Sequence, residues 1–429
     1  IEACLVGSEM CIRDRIKSLE KEKKYDVIIT ELGGTVGDIE SYPFIEAVRQ
    51  FRWEIGEQNS LVIHLTLLPY LSAAAEIKTK PTQHSVKKLM ESGLNADIIV
   101  CRTEHKLSVD LRKKIALFCN VDVKSVIESI DAKTIYDVPL LMLEEKLDKV
   151  VLKKLKIKSK IKADLSSWKK FVHNLKNPKN EVNIGLIGKY VELQDSYKSI
   201  LESFIHAGSV NSVKVNVHPI HSESIDKTNV KSLMSALDGV LVAPGFGERG
   251  IEGKIMSIEY ARVNDIPFLG ICLGMQMAVI EYARNIIGLK NANSTEMDSH
   301  TKYPVISLME DQVNIEKKGG TMRLGSWKCE ISKGTLTHDI YKKNVIKERH
   351  RHRYELNFNY IESLTKSGMV LSGKNPETDL VEIIELPNHR WFIGVQFHPE
   401  YQSTVDKPHP LFKSFIKAAI NKKRSYGRK

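Results

Sequence analysis

The chain has 429 residues, more than a single hydrophobic core serves, so two domains are the first expectation. Hydrophobic content of 42% and charged content of 27% are those of an ordinary globular protein, and no apolar run approaches the ~18 residues of a membrane span. The net charge of +11 suits polyanionic ligands, and six cysteines without a C-x-x-C pair or a Cys/His cluster argue against structural zinc and for a reduced, cytoplasmic setting.

Residues 1–15 start without Met and match no targeting pattern, so they read as an artefactual tail outside the fold. From Asp26, strand-like and helical runs alternate: Val27–Thr30, Pro43–Phe51, Leu61–Leu67, Ser85–Ser92, Ile98–Cys101 and Val109–Phe118. Alternation at these lengths predicts βαβ units and a parallel sheet. The first strand is followed by Glu31–Glu40 (ELGGTVGDIE). An acid at the end of a buried parallel strand is placed to hold magnesium, and a Gly run lets backbone approach phosphate. Lys78 and Lys80 beside Gln83 form a plausible set for triphosphate charge and a pyrimidine edge. Solvated surface charge remains the default reading for Lys87 and Lys113.

Residues 147–180 are rich in Lys and close on Asn177-Pro178, which reads as a helix-bearing linker. A second series follows: Val182–Ile187, Tyr197–Ala207, Val213–His218, Val230–Leu237, Val240–Val242, Ile255–Val263 and Phe268–Ile271. Its last strand runs into Gly270-Ile271-Cys272-Leu273-Gly274, and the helical run Met275–Arg284 comes next. G-x-C-x-G is the cysteine counterpart of the nucleophile elbow, in which small residues permit a strained strand-to-helix turn. A Cys at a helix N-terminus also feels the positive end of the helix dipole, which favours thiolate. Alone, the motif could be a tight turn around a buried Cys. Phe397-His398-Pro399-Glu400 weakens that reading, because His398 and Glu400 flank one residue and share a side of an extended segment. Nucleophile, base and orienting carboxylate are then available as Cys272, His398 and Glu400. Ala243-Pro244-Gly245-Phe246-Gly247 ends the strand Val240–Val242, where a backbone N–H together with that of Leu273 would complete an oxyanion hole.

These three motifs together resemble the class I, triad-type glutamine amidotransferases. Leu269–Gln276 (LGICLGMQ), Glu281–Arg284 (EYAR), Asn291–Glu296 (NANSTE), Gly319–Gly325 (GGTMRLG) and Glu348–Glu355 (ERHRHRYE) narrow the resemblance to the CTP synthases. Glu31–Glu40, Glu76–Ser85 (EIKTKPTQHS) and Lys114–Asn120 (KIALFCN) are similar to the amidoligase domain of that family. The resemblance implies an α/β protein of two domains. Residues 16–146 would form part of a P-loop-type amidoligase domain with a parallel sheet, 147–180 a linker, and 181–429 a class I glutamine amidotransferase domain.

It further implies that glutamine is bound by Gly245, Leu273, Gly274, Met275, Gln276, Glu296 and Arg353. Glu296 suits an α-ammonium and Arg353 an α-carboxylate. UTP or CTP would lie at Asp38, Ile39, Glu40, Lys78, Thr79, Lys80, Pro81, Thr82, Gln83 and Lys114, ATP near Arg102 and Asp131, and magnesium at Glu31. GTP would act as allosteric activator through the lid Gly247–Gly253 with Arg249, and the family assembles as a homotetramer. Pro244 departs from the Gly found in many relatives, and Glu128–Lys133 follows the family loosely.

No G-x-x-x-x-G-K-[ST] string occurs between Ile1 and Asp26, where the resemblance would have placed a phosphate loop earlier still. The sequence therefore reads as an N-terminally truncated copy that keeps glutaminase chemistry. A glutaminase partner of another synthetase and a non-catalytic assembly or filament fragment are the alternatives. Two His and three Arg in Arg349–Arg353, without interleaved aromatics, are a weak nucleic-acid signal and fit a buried polar network plus the glutamine clamp. Neither nucleic acid nor membrane is an expected partner.

Overall fold

A computed structural model describes residues 8–20, 25–308 and 322–426; Gly319, Gly320 and Thr321 of the GGTMRLG string lie outside the described residues. The chain forms two compact units, Ile1–Leu165 and Ser166–Lys429, and their boundary falls inside the predicted linker.

In the first unit, α1 (Ser8–Ser18) runs continuously across residue 15, where the tail was expected to end. Arg13 and Lys17 of α1 pair with Glu54 at the end of α2 (Tyr42–Ile55). Next come β1 (Ile63–Leu68), a short antiparallel pair of β2 (Tyr70–Leu71) and β3 (Glu76–Ile77), then α3 (Lys80–Glu91), β4 (Ile98–Thr103), α4 (Val109–Cys119) and β5 (Val126–Ile130). α3 carries Pro81 in its first turn, where a missing N–H costs nothing, and buries Thr82, Gln83, Val86 and Leu89 along one face. Ser108 caps α4 by accepting from the Leu111 N–H at 3.2 Å. β1, β4 and β5 form a parallel sheet in the order β1-β4-β5, as the alternation predicted. α5 (Val138–Glu144) and α6 (Leu147–Lys154) close the unit.

The predicted strand Val27–Thr30 does not form: residues 27–31 lie in neither helix nor strand, and Ile29 is 91% exposed. A strand needs a neighbour to take its N–H and C=O groups, and local propensity does not supply one. β1 shows the same asymmetry. Its His64, Thr66 and Leu68 are buried against α3, while Ile63, Leu65 and Leu67 face outward.

The second unit opens with α7 (Ser166–Lys176) and is built on a nine-stranded mixed sheet. Its elements in chain order are β6 (Asn180–Gly188), α8 (Lys198–Val210), β7 (Val213–His221), α9 (Val230–Met234), β8 (Gly239–Val242), α10 (Ile251–Val263), β9 (Phe268–Ile271) and α11 (Leu273–Tyr282). Then follow β10 (Ala292–Ser294), β11 (Tyr303–Leu308), β12 (Arg323–Ile331), α12 (Leu336–Tyr341), β13 (Val345–His352), β14 (Tyr354–Leu356), α13 (Ile361–Lys366), β15 (Val370–Lys374), β16 (Val381–Glu385), β17 (Phe392–Val395) and α14 (Pro410–Tyr426). The large sheet has the order β7-β6-β8-β9-β17-β16-β15-β12-β13, parallel from β7 to β17 and antiparallel beyond, while β10, β11 and β14 make a small separate sheet.

The central strands are apolar throughout because both faces are covered. Val240, Val242, Phe268, Ile384 and Phe392 join the core that contains Ile255 and Ile258 of α10 and Met275 of α11. Leu241, Leu269, Ile271, Ile383, Ile393 and Val395 join the opposite core, with Phe204 of α8 and Phe412 and Phe415 of α14. Neighbouring residues on one strand thus serve different cores, the period-2 rule applied to a sheet buried on both sides.

Candidate active site

β9 ends in the middle of the sheet, and Cys272 follows it with φ +51° and ψ −104°, a conformation that side chains other than Gly rarely adopt. Such a residue stores about 1–3 kcal/mol and persists only where its surroundings dictate it. Those surroundings are the two glycines of the motif. A Cβ on Gly270 would stand 2.8 Å from the Gly274 backbone, and one on Gly274 would stand 2.2 Å from the Val242 carbonyl oxygen. The Cys272 N–H donates to the Val395 carbonyl at 2.7 Å, tying the elbow to the end of β17.

β9 and β17 are adjacent and parallel, with Ile271 opposite Val395, so the segment after β17 carries the base to the nucleophile. Cys272, His398 and Glu400 are all buried. His398 Nδ1 donates to Glu400 Oε1 at 2.8 Å, and the His398 backbone N–H donates to the Arg349 carbonyl at 2.8 Å. Burial works against a charged His398, but the neighbouring Cys272 sulfur and the Glu400 carboxylate outweigh that and raise it well above the ordinary histidine value. Glu400 thus stands behind the imidazole and favours its protonated form. Gln396 Nε2 points at the Cys272 Sγ from 3.7 Å.

The Ala243–Gly247 loop leaves β8 over the start of α11, where a Cβ on Gly245 would touch Leu273 Cδ2 at 3.5 Å. The loop is held from two directions. Glu296 Oε1 accepts the Gly247 N–H at 2.7 Å, and Lys189 Nζ donates to the carbonyls of Phe246 and, at 2.6 Å, Gly247. Gln276 is buried and donates to the Tyr354 carbonyl at 2.9 Å and to Gln396 Oε1 at 3.3 Å. Burial raises Tyr354; the charge of Glu296 adds to that and the charge of Arg353 opposes it. Arg249 lies over the Tyr190 ring at 5.2 Å and pairs with Glu223 at 3.1 Å.

In the first unit the structure brings together only part of the expected nucleotide set. Arg102 and Asp131 form an ion pair at 3.0 Å on the surface. Lys78 pairs with Glu76 at 2.5 Å, and Lys114 adds its charge to that Glu. Asp38, Ile39, Glu40, Lys80 and Pro81 are exposed. Thr79, Thr82 and Gln83 are buried: Thr82 donates inward to Thr66 and to the Leu67 carbonyl, and Gln83 donates to Thr79. Their side chains hold α3 in place. Glu31 is exposed on the unpaired segment, and no cluster of three or more metal-capable side chains occurs among the described residues. A lone carboxylate cannot by itself complete the six oxygens that magnesium takes.

Sequence reasoning passed over several groups that the fold brings to this site. Lys189, Lys254, Tyr354 and Gln396 are among them. The helical stripe Ile251, Ile255 and Ile258, on which Lys254 falls, was a usable signal for a buried lysine. The Arg349–Arg353 string does contain a buried network: His350 and His352 point inward on β13 while Arg349 and Arg351 point outward.

Comparison with known proteins finds relatives for both units. Residues 8–157 match the family "CTP synthase N-terminus", and residues 192–418 match "Glutamine amidotransferase class-I". The chain is 66% identical to the CTP synthase of Christiangramia forsetii over 408 residues, which is 95% of this chain and 75% of that protein. It is 53% identical to that of Methanocaldococcus jannaschii over 418 residues, 96% of this chain and 77% of that protein. Among solved structures it is similar to the glutaminase domain of Trypanosoma brucei CTPS with bound acivicin, with a TM-score of 0.53 and 38% identity over 56% of this chain and 94% of that one. With an N-terminal synthase domain and a class I glutaminase domain matched along its length, the chain belongs to the CTP synthase family.

Proposed function

We propose that the chain serves the glutamine-dependent amination of UTP to CTP, with glutamine hydrolysis at Cys272 as the half-reaction whose residues are assembled here. The observation that carries this reading is the strained elbow holding Cys272 beside an imidazole that Glu400 engages at 2.8 Å. Glutamine lies with its α-ammonium at Glu296 and its α-carboxylate at Arg353, along a wall made by Gly274, Met275 and Gln276. The Cys272 thiolate attacks the side-chain amide carbon. The N–H groups of Gly245 and Leu273 receive the oxyanion, a contribution worth about 10²–10³ in rate per donor in comparable sites. His398 passes its proton to the departing ammonia, leaving a thioester. It then takes a proton from water, which releases glutamate, while Glu400 keeps the ring oriented throughout.

In the first unit the pyrimidine nucleotide binds at Asp38–Glu40, Lys78–Gln83 and Lys114, and ATP near Arg102 and Asp131; Glu31 would supply one oxygen to a magnesium ion brought by the nucleotide. Phosphorylation of the uracil O4 by ATP creates the leaving group that ammonia displaces at C4. GTP acts on the lid through Arg249, and the working form is a cytoplasmic homotetramer. Among the described residues no helix is long and apolar enough to cross a membrane.

Cys272→Ala tests the assignment. Glutamate release from glutamine should fall to the uncatalysed level with the thermal unfolding midpoint kept, and ammonia-driven CTP formation should survive in any chain competent for synthesis. Hydrolysis that persists in the folded variant would remove Cys272 from the chemistry.

A further inference from the structure

Lys254 lies on the apolar stripe of α10 and is 0% exposed. Its helix turn is located tightly: a Cβ on the preceding Gly253 would stand 1.8 Å from the Ser222 carbonyl oxygen, so the helix can sit there only with glycine. From this turn the Lys254 Nζ donates at 2.8 Å to the carbonyl of Ala243, the first residue of the loop after β8. The same Nζ is 3.8 Å from the point that a Cβ on Gly245 would occupy. Lys189 reaches the other end of that loop, at Phe246 and Gly247. Two ammonium groups thus hold the loop on both sides of Gly245.

The electrostatics of Lys254 are unusual for a buried lysine. Among the described residues no carboxylate forms an ion pair with Lys254; the neighbouring Lys189 repels its charge and Cys272 favours it. A buried cation without a carboxylate is a net cost to folding.

We propose that Lys254 is a positioning residue of the glutaminase site, fixing the loop that offers the Gly245 N–H and setting a buried positive charge that favours the Cys272 thiolate and the tetrahedral oxyanion. This rests on the reading of Cys272 as the glutaminase nucleophile. Burial, with Lys189, lowers Lys254 to about 7, and the thiolate pulls it back up, so the two charged forms favour each other. Losing the ammonium therefore makes the thiolate harder to form.

The test is Lys254→Met, which keeps length and volume but removes the charge. Glutaminase kinetics, the pH profile of Cys272 alkylation by iodoacetamide, and thermal unfolding are measured on this variant, the wild type and Cys272→Ala. The expected result is a kcat lower by about tenfold or more, a glutamine KM within about twofold, and an alkylation midpoint higher by about one pH unit. The unfolding temperature should hold or rise, because a buried charge has gone. An unchanged kcat and midpoint, or a lowered unfolding temperature with the midpoint unmoved, overturns the proposal. If the variant does not fold, the wild-type profile decides alone: a Cys272 midpoint at or above the ordinary cysteine value of ~8.5 overturns it. Failure of the underlying reading looks different, since wild type and Cys272→Ala would then hydrolyse glutamine equally.

Discussion

A planar guanidinium presents two parallel donors to a carboxylate and a lysine ammonium presents only a point charge, and Arg353 stands where that difference can be measured. Arg353→Lys should raise the glutamine KM by about tenfold while kcat stays within about threefold, because the clamp binds ground state and transition state alike. Steady-state glutaminase assays check this; an unchanged KM would take Arg353 out of the site. The residues proposed for catalysis could be picked out in the sequence because their pattern is local. G-x-C-x-G fixes a turn, and His398 and Glu400 are two residues apart. Lys189 and Lys254 were not legible, since a lysine reads by default as solvated and only the packing of α10 against the loop after β8 shows otherwise. Gln396 escaped notice for a related reason: it meets Cys272 only through the pairing of β9 with β17.

Strands β12, β13, β14 and β16 are joined by a buried polar cluster. Arg323 contacts Glu382 at 2.7 Å and Glu355 at 3.4 Å, His350 and His352 contact each other at 2.8 Å, and each His faces one of those carboxylates at 3.3 Å. Burial holds both His uncharged, well below the ordinary range. Burial also raises Glu382 to about 7 against the pull of Arg323. A carboxyl whose folded value is raised contributes stability that is fully present below its unfolded value and is lost as pH rises through the folded one. The window for Glu382 therefore runs from about 4.5 to about 7. Glu382→Gln, which cannot titrate, should gain on the wild type by about 1–3 kcal/mol between pH 5 and pH 8. Urea unfolding of both proteins at the two pH values measures it, and a constant difference would show that Glu382 does not titrate there. Among the elements, Phe268–Ile271 was predicted to the residue, since both faces of a buried parallel strand demand apolar side chains. Val27–Thr30 was equally apolar and failed as a strand, because pairing is a property of a neighbour and no local pattern encodes it.

The two units are joined by 155–165, which has no helix or strand and exposes Lys156, Lys158, Lys160 and Lys162. Trypsin should cut there first, because exposed irregular backbone is the preferred substrate. The fragment that begins in this stretch should keep the whole of Ser166–Lys429 and an alkylatable Cys272, as read by mass spectrometry. Early cuts within the second unit would contradict that picture. The sequence reading put a linker at residues 147–180 from its lysine content and the closing Asn177-Pro178, but it did not show that α7 belongs to the second unit, because that depends on Phe171 and Val172 finding a core. The opposed cores of the second unit also bear on how such a chain can vary over evolutionary time. A substitution in β8, β9 or β17 disturbs one core by a graded amount. A single inserted residue would exchange Phe268 and Leu269 between the two cores and rotate Cys272 away from His398 in the same stroke. Insertions and deletions are consequently expected to be tolerated in the connections, and the central strands to vary in composition sooner than in length.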